Sequence, residues 1–323
     1  MRAAYIKNKS RKIGYLLKES FEEFLDDKGF KISGALSYYT IFALPPLLII
    51  IISICGVFYG KDAVSGQLFG QINGLVGNDA AIQIQDAIKN VTLSKSNVFA
   101  TTVSVIILII GASGVFAEIQ DSINYIWGLK AKPKRGFVKF LRNRLMSFSM
   151  IGAVGFLLLA GLIVNSLLDL LTARLTKFLP GNTIYVFHVV NILLVFVIIT
   201  TLFMIIFKSL PDGKIALRDC AIGASFTAFL FMIGKFGISI YLGTSSIASV
   251  YGAAGSLILI LIWVYYSAII LYFGAEFTKV YAQNHGNKIV PDEYAVRILK
   301  QKIELEPRVI AADVKNTSNE NQL

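Results

Sequence analysis

Residues 251–282 read YGAAGSLILILIWVYYSAIILYFGAEFTKVYA. From Tyr251 to Ala275 there is no Asp, Glu, Lys or Arg, and Glu276 follows at once. A helix rises about 1.5 Å per residue, so about 20 apolar residues match the hydrocarbon thickness of a bilayer. A run this long and this bare reads as a transmembrane helix. Five further apolar segments precede it, at about 33–59, 97–117, 145–171, 184–207 and 215–242. The expected fold is therefore all-α, a polytopic membrane protein with six transmembrane helices. Pro45 and Pro46 fall inside the first segment. Each removes a backbone donor and clashes with the preceding turn, which predicts a kink there.

Composition agrees. Of 323 residues, 55% are hydrophobic and only 16% charged, with a mean hydropathy of +0.65. A soluble domain carries nearer a quarter charged residues. The net charge of +11 invites a nucleic-acid reading, but cytoplasmic loops of membrane proteins collect Lys and Arg for orientation. Of the 31 basic residues, 8 precede residue 32, 7 lie in 118–144, 3 in 208–218 and 7 from Lys279 onward. The alternate connections 60–96 and 172–183 hold 5 between them. That imbalance places both the N- and C-termini in the cytoplasm. The two cysteines, Cys55 and Cys220, lie in or beside apolar segments and imply no disulfide or metal. No cleavable signal peptide precedes the first apolar run.

The parts outside the bundle divide as follows. Residues 1–32 form a cytoplasmic amphipathic segment, and 33–282 are the six-helix transmembrane domain. Within 13–29, Ile13, Leu16, Leu17, Phe21, Phe24 and Leu25 recur at helical spacing opposite Lys18, Glu19, Glu22, Glu23 and Asp26. Such a helix lies at the membrane surface or against the bundle. The external loop 60–96 holds an amphipathic stretch at 79–91. The tail 283–323 is cytoplasmic and expected to be disordered towards its end, which reads DVKNTSNENQL.

Ionisable and amide residues inside a membrane are costly and usually face a partner or water. Lys235 sits in the outer half of the fifth segment, with Asn165 and Asp169 in the third and Asn191 in the fourth at comparable depth. Together they form the outer half of a hypothetical substrate or ion pathway; snorkelling of Lys235 to the interface is the plain alternative. Glu118 ends the second segment and Glu276 the sixth, both at the inner side. They are candidates for an inner gate, against the alternative of interfacial helix ends paired with Lys130 or Lys279. Gly111, Gly114, Gly252 and Gly255 permit close helix packing. Trp127 and several tyrosines suit an interfacial belt.

Three strings carry a family resemblance: GALSYYTIFALPPLLI (34–49), GASGVFAEIQDSINYIWGL (111–129) and the 251–282 stretch quoted above. They closely resemble the YihY/BrkB family of bacterial inner-membrane proteins, and LPDGKIALRDCAIGASFTAFLF (210–231) is similar as well. The resemblance implies a multi-pass protein of the bacterial cytoplasmic membrane. It also brings an old label as ribonuclease BN, another as a virulence or serum-resistance factor, and a suggested role in moving ions, solutes or lipids.

The residues argue against the nuclease. Metal-dependent phosphodiester cleavage wants clustered His and Asp or paired carboxylates. The two histidines, His188 and His285, fall on opposite membrane faces by this topology. The basic 130–144 stretch is explained by orientation and anionic lipid headgroups. No phosphate-cradling GxxxxGK[ST] loop is present. The expectation is no catalytic residue, no metal, no cofactor and no enzymatic activity. The expected partners are the lipid bilayer and anionic headgroups at the basic loops. Nucleic acid is not expected, and a homo-oligomer is left open. The leading function is movement of an ion, small solute or lipid through a polar cleft in the bundle. The competing one is a non-transporting scaffold or envelope-assembly factor.

Overall fold

A computed structural model describes residues 2–42, 114–131, 183–244, 255–285, 288–293 and 295–298, with isolated helical positions at 66, 69, 70, 82 and 85. The third apolar segment, the Pro45-Pro46 kink, most of the 60–96 loop and the end of the tail lie outside the described residues.

Helix α1 (Arg2–Asp26) opens the chain. Lys28 adopts φ 58° and turns it into α2 (29–42). Helix α3 covers 114–126, and Gly128, at φ +66°, ends it in the left-handed conformation a glycine allows. Then follow β1 (Leu129–Ala131), α4 (Thr183–Ser209), β2 (Gly213–Lys214), α5 (Leu217–Thr244), α6 (Gly255–Asn284), β3 (Val290–Pro291) and β4 (Ala295–Arg297).

The fourth and fifth expected segments match α4 and α5 to within about two residues. The sixth continues as helix past Ala275 to Asn284, and α3 runs past Ala117 to residue 126. In both cases the polar residues that end the apolar run are still helical. Ile192–Ser209, Leu217–Ile238 and Ile258–Asn284 are long and apolar enough to cross a membrane.

The described core lies where α2, α3, α4, α5 and α6 converge, around the fully buried Ile123, Phe207, Cys220 and Tyr272. Two small antiparallel sheets cap this end. β1 pairs with β4, Leu129 opposite Arg297, and β2 pairs with β3, Gly213 opposite Pro291. The residues after α6 thus fold back onto the bundle through 298, a short β element that an all-α reading did not include.

Candidate functional site

The polar residues at the capped end fall into two networks. The first centres on Lys279. Glu276 and Lys279 stand three residues apart on α6, hence on one face, and their charged ends lie 2.6 Å apart. Glu23 of α1 and Asp27, four residues on and just past the helix end, close in from the other side, with Lys279 Nζ at 2.8 Å from Glu23 and 3.7 Å from Asp27. Lys279 also donates to the Ile126 carbonyl at 3.0 Å, at the end of α3. Trp127 seals the junction, its indole N–H donating to the Ala275 carbonyl at 3.1 Å. The belt position expected for Trp127 is instead a buried one.

Three carboxylates and one ammonium therefore share one small volume. Glu276 is wholly buried, and Asp27 and Lys279 are nearly so, at 5% and 6% exposure. One carboxylate oxygen from each of Glu23, Asp27 and Glu276 lies within 4.8 Å of the others. A hard cation binds such donors, and here the Lys279 ammonium takes that place. Losing one partner of a buried pair leaves an uncompensated charge, at a cost of about 3–5 kcal/mol. A pocket of about 190 Å³ reaches Lys279 from the surface between Glu23, Gln283, Gly128 and Arg297.

The second network holds the Pro211-Asp212-Gly213 turn. The Asp212 carboxylate accepts from Gln120 Nε2 at 3.2 Å and from Asn124 Nδ2 at 3.0 Å. Asn124 Oδ1 accepts the Asp212 backbone N–H at 2.8 Å. The Asp212 carbonyl accepts from the Asp292 N–H at 2.9 Å. Two helical turns of α3, the α4–α5 turn and the segment after α6 are tied together through one residue.

The expected inner-gate residues separate between environments. Glu276 belongs to the Lys279 network. Glu118 is half-buried on α3 and accepts the Ser122 hydroxyl at 3.3 Å. Among the described residues no hydrogen bond or ion pair joins the two. Lys235 is exposed on α5. Asn165 and Asp169 lie outside the described residues, as does the side chain of Asn191. Gly114 has ordinary space beside Tyr39, at 3.9 Å, and Gly111, Gly252 and the surroundings of Gly255 are not described. Glu23, Asp27 and Asp212 were not among the expected site residues. The signal for the first two was their four-residue spacing on one side of a stretch read as lying at the membrane surface or against the bundle.

A family model described as virulence factor BrkB matches residues 20–298. Proteins named UPF0761 membrane protein are similar along much of the chain. The one from Saccharophagus degradans is 26% identical over 287 residues, covering 88% of this chain and 64% of its own. Those from Azotobacter vinelandii and Pseudoalteromonas atlantica are 25% and 26% identical, over 79% and 77% of this chain and 60% and 79% of their own lengths. The chain thus spans about three fifths of the first two of these relatives. No solved structure matches it. With a match running through α2, α3 and α6 and both polar networks, the chain is an integral membrane protein belonging to the YihY/BrkB family.

Proposed function

We propose that the chain spans the bacterial cytoplasmic membrane six times with both termini inside, and moves an ion, a small solute or a lipid through a polar path in the bundle, without enzymatic chemistry. Glu276 carries this reading. Its carboxylate is wholly buried in a helix apolar enough to cross a bilayer, where an ionisable group is costly and is a functional candidate by default. A purely structural pair needs one carboxylate for one lysine. Here three carboxylates converge on one ammonium, and a pocket leads to it. Such a set can exchange partners with a passing charged group without stranding any member. Glu118 is assigned to the same inner half, and Lys235, Asp169, Asn165 and Asn191 to the outer half on their sequence positions.

The test is reconstitution into liposomes with separate assays for proton, monovalent cation, small anion and lipid-flip activity. One of these should exceed protein-free liposomes and fall in Glu276→Gln. Folded protein that moves nothing in any assay contradicts transport and leaves the scaffold reading.

A further inference from the structure

The contacts between α1 and α6 fix how α1 lies relative to the bilayer. Leu16 packs with Phe277 and Val280, and Asp27 meets Lys279. Leu16 and Asp27, the latter one residue past the end of α1, are eleven positions apart, about 16 Å of helix, yet they touch the same stretch of α6. Two helices lying side by side would have drifted along each other by as much. Helix α1 therefore crosses α6, passing from the cluster that Leu16 forms with Phe277 and Val280, against which Ile222 and Phe226 of α5 pack, to the α3 end beside Lys279. Since α6 has the composition of a membrane-crossing helix, α1 lies close to the membrane plane.

Its rotation about its own axis is fixed as well. Phe24 meets Phe273 edge-on, ring centroids 5.9 Å apart, on the side towards the middle of α6. Glu19 accepts from Asn284 at 3.1 Å, at the end of α6. The Phe24 side of α1 is thus turned towards the middle of α6, and the Glu19 side towards its end. Beside the buried ridge Leu16–Ser20–Phe24 runs a second one at the same four-residue spacing, Ile13–Leu17–Phe21–Leu25. Ile13 and Phe21 are each 50% exposed and Leu25 47%. Exposed Glu22 and Asp26 lie with Glu19 on the far side. Lys18, which also reaches Glu22 at 3.6 Å, borders the apolar ridge.

We propose that the Ile13–Leu17–Phe21–Leu25 ridge is a bilayer-docking surface, seated at the boundary between headgroups and acyl chains, with Lys18 at the level of the lipid phosphates. The charge pattern fits that occupant: the Lys18 ammonium borders the ridge, and the carboxylates of Glu19, Glu22 and Asp26 are turned away from it. The assignment does not depend on what, if anything, the bundle transports.

The test uses the full chain in phosphatidylcholine–phosphatidylglycerol vesicles, on a Cys55→Ser, Cys220→Ala background. Nitrobenzoxadiazole is attached in turn to Phe21→Cys, Leu25→Cys, Glu22→Cys and Asp26→Cys. Probes at 21 and 25 should emit further to the blue, be quenched by shallow nitroxide lipid, and be quenched by iodide several-fold less than probes at 22 and 26. Equal iodide quenching at all four positions overturns the proposal. So does shielding of 21 and 25 from both quenchers, which would put protein on the ridge. A benzophenone amino acid at 21 or 22 of the cysteine-intact chain gives a second readout. Lipid adducts at 21 and none at 22 are expected, and protein adducts at 21 overturn it.

Discussion

Gly223 of α5 lies so close to Thr278 of α6 that any side chain at Gly223 would run into the Thr278 hydroxyl and methyl. The contact repeats in reverse between Gly274 of α6 and Thr227 of α5. Each threonine bonds back along its own helix, Thr227 to the Gly223 carbonyl at 2.7 Å and Thr278 to the Gly274 carbonyl at 2.6 Å. The hydroxyls are thereby satisfied, and two small surfaces interlock. In a bilayer, where apolar burial gives helices little reason to associate, close packing of this kind holds them together.

Overpacking that joint should be felt directly. Gly223→Val or Gly274→Val is expected to lose about 1–3 kcal/mol, read as a lower melting temperature of the purified protein in detergent. Gly237→Ala is the control. Its Cβ position is open, so the midpoint should hold or rise slightly.

The Lys279 network makes a sharper prediction. Lys279→Met leaves Glu276 buried without its cation, and the cost is expected to be about 3–5 kcal/mol. Adding Glu276→Gln should recover part of that loss. A double-mutant cycle on thermal or denaturant stability measures the coupling; strictly additive effects would show that the 2.6 Å pair is energetically idle.

At the second network, Asn124→Ala removes a donor and an acceptor from Asp212, which is 4% exposed. The expected loss is about 1–3 kcal/mol. Because Asp212 also holds Asp292, limited proteolysis should cut near residues 285–298 faster than in the wild type.

These networks show where the sequence was readable. The long uncharged runs identify α4, α5 and α6, because hydrocarbon thickness sets both length and composition. Polar residues at the helix ends were harder. Gln120 and Asn124 look like an interfacial end, and only the fold brings the Asp212 turn, about ninety positions away, against them. On α1, apolar periodicity marked a single broad face. The structure divides it into a buried ridge that admits Ser20 and an exposed ridge that keeps Phe21 and Leu25. A helix that packs one ridge on a bundle and leaves the next exposed shows one stripe in its sequence and two in space.

Lys235 supplies a contrasting case. Its side chain is exposed on α5, so removing its charge strands no buried partner among the described residues. Lys235→Gln should then change stability by no more than about 0.5 kcal/mol. A larger loss, rescued by pairing it with Asp169→Asn, would instead reveal a partner for it.

The most direct measurement compares liposome flux through Glu276→Gln and Asn124→Ala, both verified as folded, against wild type. If the buried carboxylate takes part in movement across the membrane, the glutamine variant keeps its shape and loses flux by about tenfold or more, a barrier change of about 1.4 kcal/mol. The Asn124 variant, destabilised but distant in function, keeps most of it. Wild-type flux in Glu276→Gln would contradict the account and make the Lys279 network a structural latch.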